Sequence, residues 1–185
     1  MESLKFNIIR IFVFLCYYVA ISYGFVAWKY RTFLKVSKGL RPLLTFAHVF
    51  IALSNIVAFF VFIMLDRHTP ISTALSWLGL AIAIAGAVLL IWSGSILGLA
   101  TFIPSADGKL ITTGPYRITT HPMYLGGVIG GFGLAIWSAS LLGLVYALVI
   151  LLTLMIIARE EERELLERFG SAYLNYKKQT LIPFA

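Results

Sequence analysis

The stretch MYLGGVIGGFGLAIW-SAS-LLGLVYALVILLTLMIIA, residues 123–158, contains no Asp, Glu, Lys, Arg or His. Two apolar segments, Met123–Trp137 and Leu141–Ala158, are separated only by Ser138, Ala139 and Ser140. So short a connection makes them antiparallel neighbours. Longer apolar runs lie upstream, at about Ile8–Trp28, Leu43–Leu65 and Leu75–Leu99. Each can cross the roughly 30 Å hydrocarbon core as a helix. The 185-residue chain is 60% hydrophobic and 12% charged, with a mean hydropathy of +0.92. Soluble domains hold about 45–50% apolar and about 25% charged residues. The expected fold is therefore an all-α membrane protein with about five transmembrane helices, the fourth and fifth forming a short glycine-rich helical hairpin, followed by a cytoplasmic C-terminal helix.

The first arm of the hairpin reaches only about 22 Å at about 1.5 Å per residue, so it barely spans. It is rich in glycine: Gly126, Gly127, Gly130, Gly131 and Gly133. The pairs Gly126/Gly130 and Gly127/Gly131 have the small-xxx-small spacing that lets membrane helices approach closely. Gly131 and Gly133 are not a dinucleotide fingerprint, because they lie inside an apolar helix rather than between a strand and a helix. Residues 1–99 read as three membrane-anchoring spans, and residues 100–185 as the chemically active part of the same folded unit.

Charge placement adds orientation. Lys5 and Arg10 flank the first run, as in a signal peptide, but that run is too long and too aromatic and lacks a small-residue cleavage site. It reads as a retained span. The loop after it carries Lys29, Arg31, Lys35, Lys38 and Arg41, whereas the next loop, Asp66–Pro70, carries only Arg67. The basic loop belongs in the cytoplasm, which puts residues 100–122 and the C-terminal segment on the cytoplasmic face together. The net charge of +7 is thus explained by span flanks and anionic lipid, not by nucleic acid. Cys16 is the single cysteine; it makes no intrachain disulfide, and no metal-ligand set is present. The span interiors lack Asp, Glu, Lys and Arg, which counts against a transporter. His48 reads as an interfacial or helix-bridging residue, and Asn55 is the most polar residue deeper in its span.

Chemistry-bearing side chains concentrate in two polar segments. In the first, Asp107-Gly108 marks a turn between two short β-prone stretches, and Gly114-Pro115 marks a second turn. Pro122 suits the first position of the fourth helix. His121 then sits at the N-cap, beside free N–H groups and the positive helix end, where a carboxylate or phosphate is welcome. On residues alone, a structural His-Pro cap explains the same pattern equally well. In the second segment Leu165, Phe169, Tyr173 and Tyr176 recur at helical spacing. Glu161 and Glu162 fall on or beside that apolar face, while Glu160, Glu164 and Glu167 fall elsewhere and read as solvated. Charge pattern alone favours a solvated, salt-bridged helix here.

Together the segments resemble the isoprenylcysteine carboxyl methyltransferase and phospholipid methyltransferase superfamily of membrane enzymes, from about Leu110 to the C-terminus. The residues that carry the resemblance are Gly114-Pro115-Tyr116-Arg117, His121-Pro122-Met123-Tyr124 with Gly126 or Gly127, Glu161-Glu162, Leu165, Phe169-Gly170, Tyr173, Tyr176 and Pro183. The resemblance implies S-adenosylmethionine as cofactor, held at the cytoplasmic face, and a lipophilic or lipid-linked acceptor such as a prenylcysteine carboxylate. Phospholipid amines and thiols are alternative acceptors. It implies that the cofactor carboxylate lies at His121 and Pro122, its ammonium and ribose at Glu161 and Glu162, and its adenine against Tyr116, Tyr124 and Tyr173. The backbone around Leu110, Ile111 and Gly114 would read the adenine edge. The family commonly has Arg-His-Pro where this chain has Thr120-His121-Pro122, so Arg117 or Arg159 is expected to supply the positive charge at the acceptor end. No obligate protein partner is indicated. The competing reading, a non-catalytic membrane scaffold or small-solute channel, gives no reason for a His-Pro helix start facing a Glu-Glu pair.

Overall fold

The computed structural model describes residues 38–65, 71–98, 109–182 and 184, together with Ile11 and Ser22. Apart from those two positions, the span expected at Ile8–Trp28 lies outside the described residues. So do the basic loop through residue 37, the Asp66–Pro70 loop, the Asp107-Gly108 turn and the side chain of His48. Among the described residues every regular element is helical, and the β-prone stretch at 109–113 forms no strand. A single-turn 3-10 segment, Lys38–Leu40, leads into α1, Arg41–Leu65. Then come α2, Thr73–Leu97, a 3-10 turn at Gly114–Arg117, α3, Pro122–Trp137, α4, Leu141–Phe169, and α5, Ser171–Gln179.

The ends follow local chemistry. Ser72 accepts the Leu75 N–H at 3.3 Å at the start of α2, and Ser140 accepts the Gly143 N–H at 2.8 Å at the start of α4. Each hydroxyl satisfies one of the backbone donors a helix start leaves open. Gly170, at φ 52°, ends α4 in a conformation that favours glycine. Among the described residues, α2 and α4 are long and apolar enough to cross a bilayer. The 16 residues of α3 cover about 24 Å, less than the bilayer core. The change to polar sequence at Arg159 does not end α4, which continues from the apolar run through Phe169, 29 residues in all, so the C-terminal helix proper is α5. Residues 159–168 are almost all strong helix formers. Arg163–Glu160 at 3.0 Å and Arg168–Glu164 at 3.4 Å add pairs along the helix. Glu160 and Glu164 are accordingly engaged rather than simply solvated.

What holds the bundle is a seam between α2 and α3. A Cβ added to Gly86 would lie 2.3 Å from the Gly130 nitrogen and 2.6 Å from the Gly126 carbonyl oxygen. One added to Gly133 would lie 2.3 Å from the Ala83 nitrogen, and one at Gly79 would lie 2.5 Å from the Trp137 nitrogen. The order of these contacts is antiparallel, backbone against backbone. Ser76 closes the far end by donating to the Trp137 carbonyl at 2.9 Å. Of the two expected small-residue pairs, only Gly126/Gly130 lies in this seam, extended by Gly133. At Gly127 and Gly131 a Cβ would meet its neighbours at 3.7 and 3.9 Å, ordinary contact. The small residues that α3 needs opposite it are on α2, as Gly79, Ala83 and Gly86.

On the other side of α3, Ala135 joins Phe59, Ile63 and Tyr146 in a buried cluster that ties in α1 and α4. The Tyr146 ring stacks on Phe59 at 5.7 Å, and its hydroxyl donates to the Asn55 side-chain oxygen at 3.4 Å. Asn55, the most polar residue in its span, therefore serves as a bridge between α1 and α4. Replacing Gly86 or Gly133 with alanine forces backbone apart, and we expect about 3 kcal/mol or more of destabilisation. Gly131→Ala is expected to be neutral or slightly stabilising. Thermal unfolding of the three variants in detergent checks the contrast; equal losses at all three positions would contradict the seam.

Candidate active site

The site forms where α4 outlasts its shorter neighbour. Because α3 starts at His121 while α4 runs on past Ala158, the second and third carboxylates of the Glu160–Glu162 run come level with the α3 N-terminus. His121 is the N-cap of α3 and Pro122 its first residue, a position where the missing N–H costs nothing. The imidazole lies between the two glutamates: Nδ1 is 3.5 Å from Glu161 Oε2, and Nε2 is 3.6 Å from Glu162 Oε1. The Tyr124 hydroxyl donates to Glu161 Oε2 at 2.9 Å, and its ring stacks on His121 at 5.4 Å with a 3° tilt. Thr120 donates to Glu162 Oε1 at 3.3 Å, and Lys177 Nζ is paired with Glu162 Oε2.

The side wall is a tyrosine cluster. Gly114, at φ 60°, opens the 3-10 turn, and a Cβ there would strike Ile96 Cδ1 at 2.5 Å. The turn buries Tyr116, which packs with Tyr173 and Tyr176. Leu110, Ile111, Leu165 and Phe169 pack around the three. The expected single apolar helix face is thus two facing helices, since the Gly170 break folds α5 back on α4. The Tyr176 hydroxyl donates to the Tyr116 carbonyl at 2.7 Å. Beyond α5 the chain crosses the same turn, with the Leu181 and Ile182 N–H groups both reaching the Ile118 carbonyl, at 3.0 and 2.8 Å. Phe184 then packs 6.1 Å from the rings of both His121 and Tyr124.

Electrostatics make the cluster a charged unit. Burial alone would lower the His121 pKa, for its side chain is 5% exposed. Hydrogen bonding and charge from Glu161 and Glu162 outweigh this and push it up to about 9. Burial would likewise raise Glu162, but His121 and Lys177 hold it down at about 2. Burial, then the charge of Glu161, raises Tyr116; burial, then Glu162, raises Tyr173; and burial lifts Tyr176 to about 12. At neutral pH the imidazole is a cation and the tyrosines are neutral. His121 is therefore an electrostatic anchor and not a proton acceptor.

The structure brings His121, Pro122, Tyr124, Glu161, Glu162 and Tyr173 together, with Leu110, Ile111, Gly114 and Tyr116 forming the adjoining wall. It does not bring in Arg117 or Arg159, whose side chains are solvent-exposed. The lysine that joins His121 as a cation in the cluster is Lys177, which sequence reasoning passed over. Phe184 was passed over too. Spacing carries no signal for either, because both arrive through the fold-back after Gly170. Thr119 buries a hydroxyl that has no hydrogen-bond partner among the described residues.

The chain resembles known proteins. The phospholipid methyltransferase family profile matches residues 74–172, which takes in α2 and its glycines as well as the two polar segments. A methanethiol S-methyltransferase from Pseudomonas deceptionensis is 32% identical over 116 residues, covering 60% of this chain and 43% of that protein. A Delta(14)-sterol reductase from Mus musculus is 31% identical over 96 residues, covering 49% of this chain and 23% of that protein. The chain thus spans under half the length of either relative. No solved structure matches the chain.

The raised His121 pKa contributes stability that is fully present below its ordinary value of 6.5 and is lost as pH rises through about 9. The lowered Glu162 pKa contributes stability that is present above 4.5 and is lost as pH falls toward 2. Melting temperature in detergent should therefore be highest between those two ordinary values and fall on both sides. His121→Gln should remove the alkaline decline; an unchanged alkaline limb in that variant would refute the clamp.

Proposed function

We propose that this chain, which belongs to the phospholipid methyltransferase family, moves a methyl group from S-adenosylmethionine to a lipophilic acceptor entering from the bilayer. The observation that carries the reading is the His121 clamp: a cationic imidazole at a helix start, between two carboxylates, walled by tyrosines and level with the end of an apolar helix. The donor set suits the cofactor. Glu161 is 28% exposed in its side chain and Glu162 13%, so both are reachable acceptors for an ammonium and ribose hydroxyls. The start of α3 and the His121 charge suit a carboxylate. Tyr124 and Phe184 offer an aromatic wall, and the unpaired hydroxyl of Thr119 leaves a hydrogen bond to be made.

When bound, S-adenosylmethionine supplies an electrophilic methyl on a sulfonium. The protein's share is then to hold, align and exclude water. Orientation of two reactants can contribute several kcal/mol, of order 7–11 in well-aligned cases. His121, already protonated, fixes the two carboxylates. The tyrosine cluster with Ile96, Leu97 and Leu165 keeps water from one side.

Among acceptors, a thiol is favoured over a prenylcysteine carboxylate. The cofactor's own carboxylate takes the α3 start and the His121 charge, and the two arginines expected to receive an acceptor carboxylate face solvent. A thiol enters uncharged and needs no cation: its sulfur takes the methyl as the methyl–sulfonium bond breaks, S-adenosylhomocysteine leaves as the neutral thioether, and the thiol proton passes to water. The similarity to a methanethiol S-methyltransferase points the same way. A site at the end of the apolar run of α4, a helix long enough to cross a bilayer, suits a small or alkyl thiol that partitions into lipid.

Saturable binding of S-adenosylmethionine and S-adenosylhomocysteine to the detergent-purified protein is expected. Glu162→Gln should weaken it about 10- to 100-fold, the loss of a charge-assisted bond of about 1.5–3 kcal/mol. Labelled methyl should appear in an alkyl thiol and not in prenylcysteine analogues or phosphatidylethanolamine. Absence of saturable binding by folded protein would sink the enzyme reading, whereas transfer to prenylcysteine instead would overturn only the acceptor.

A further inference from the structure

Glu162 has Thr120, His121 and Lys177 on its two oxygens. The two cations differ in kind. His121 is locked: its ring is 5% exposed, stacked on Tyr124 and held by both glutamates. Lys177 reaches in from α5 on a flexible stem, and its side chain is 35% exposed. Its helix is anchored without it, by buried Tyr173 and Tyr176, by the Tyr176–Tyr116 hydrogen bond, and by the Leu181 and Ile182 bonds to Ile118. Lys177 can therefore leave Glu162 without loosening the wall it comes from.

The cluster needs that freedom. Among the described residues it holds two carboxylates, Glu161 and Glu162, and two cations, His121 and Lys177. A ligand carrying a sulfonium and an ammonium meets a site whose negative charge is already matched. Adding a further cation to it without removing one is unfavourable at this burial. The one cation that can return to water at little cost is the lysine ammonium, a strongly hydrated charge on a four-carbon stem.

On the reading that the site binds S-adenosylmethionine, we propose that Lys177 is a stand-in cation: it occupies Glu162 before the donor arrives and gives that carboxylate up to the donor's positive group. Charge on the ligand then becomes a condition of tight binding. Lys177 acts through Glu162 and is a specificity-determining residue.

The test measures binding of S-adenosylmethionine and of adenosine, which has the same base and sugar but no charge, to the full chain in detergent. Lys177→Gln is expected to bind S-adenosylmethionine about tenfold tighter than wild type, about 1.4 kcal/mol, with adenosine unchanged, and Lys177→Arg to behave as wild type. Unchanged or weaker binding of S-adenosylmethionine by Lys177→Gln overturns the proposal, as does an equal gain for adenosine. A second measurement needs no variant. Amine-modifying reagent should label Lys177 of the wild-type protein several-fold faster with S-adenosylmethionine bound, and no faster with adenosine; protection by S-adenosylmethionine would mean that the donor covers the lysine and would refute the exchange. Failure of wild type to bind S-adenosylmethionine at all would instead be a failure of the enzyme reading, visible before any variant is made.

Discussion

The backbone contact between α2 and α3 is the constraint from which the rest of the architecture follows. Gly79, Ala83 and Gly86 meet Gly126, Gly130 and Gly133 with no room for a single added carbon at several points. In a bilayer the apolar effect gives helices little reason to associate, so close packing of this kind supplies the attraction. It also fixes where α3 begins. A helix too short to cross the bilayer is held at one depth by the seam, and its first residue, His121, is held with it.

That placement explains how charged side chains come to lie so near the apolar helices. His121, Glu161, Glu162 and Lys177 would each be costly to bury alone. They come as a matched group at the point where α4 leaves its apolar run, with hydroxyls from Thr120 and Tyr124 completing the contacts. The tyrosine cluster on one side and Phe184 on the other keep the group partly dry, which strengthens each pairing. Removing one partner leaves another exposed to that dryness without its counter-charge, so the cluster behaves as a unit.

Much of this was legible in the sequence, for identifiable reasons. Apolar runs and the Ser138–Ser140 connection gave the helices of the hairpin. Pro122 gave the start of α3, and so the cap position of His121. The spacing of Glu161 and Glu162 from Leu165 set them toward the core. Three things were not legible. The unbroken course of α4 was hidden by the polarity change at Arg159, which alters the solvent around a helix without altering its propensity. The partner of the α3 glycines lay on α2, where Gly79, Ala83 and Gly86 show the spacing but read as one more apolar span. Lys177 and Phe184 reach the site only because Gly170 reverses the chain, and a reversal followed by long-range packing leaves no periodic trace. The expectation that Arg117 or Arg159 would supply the positive charge is not supported for the same reason.

The unbroken helix α4 has a mechanical consequence. Its lipid-facing part and the part that bears Glu161 and Glu162 are one rod of about 43 Å, while His121 belongs to a different rod clamped to α2. A helix that is longer than the local hydrocarbon thickness accommodates by tilting. The tilt of α4 is set by packing against its neighbours, here the Phe59, Ile63, Ala135 and Tyr146 cluster and the Val128, Ala158 and Phe184 cluster. The same packing that sets the lean of the rod thus keeps its two carboxylates level with the imidazole.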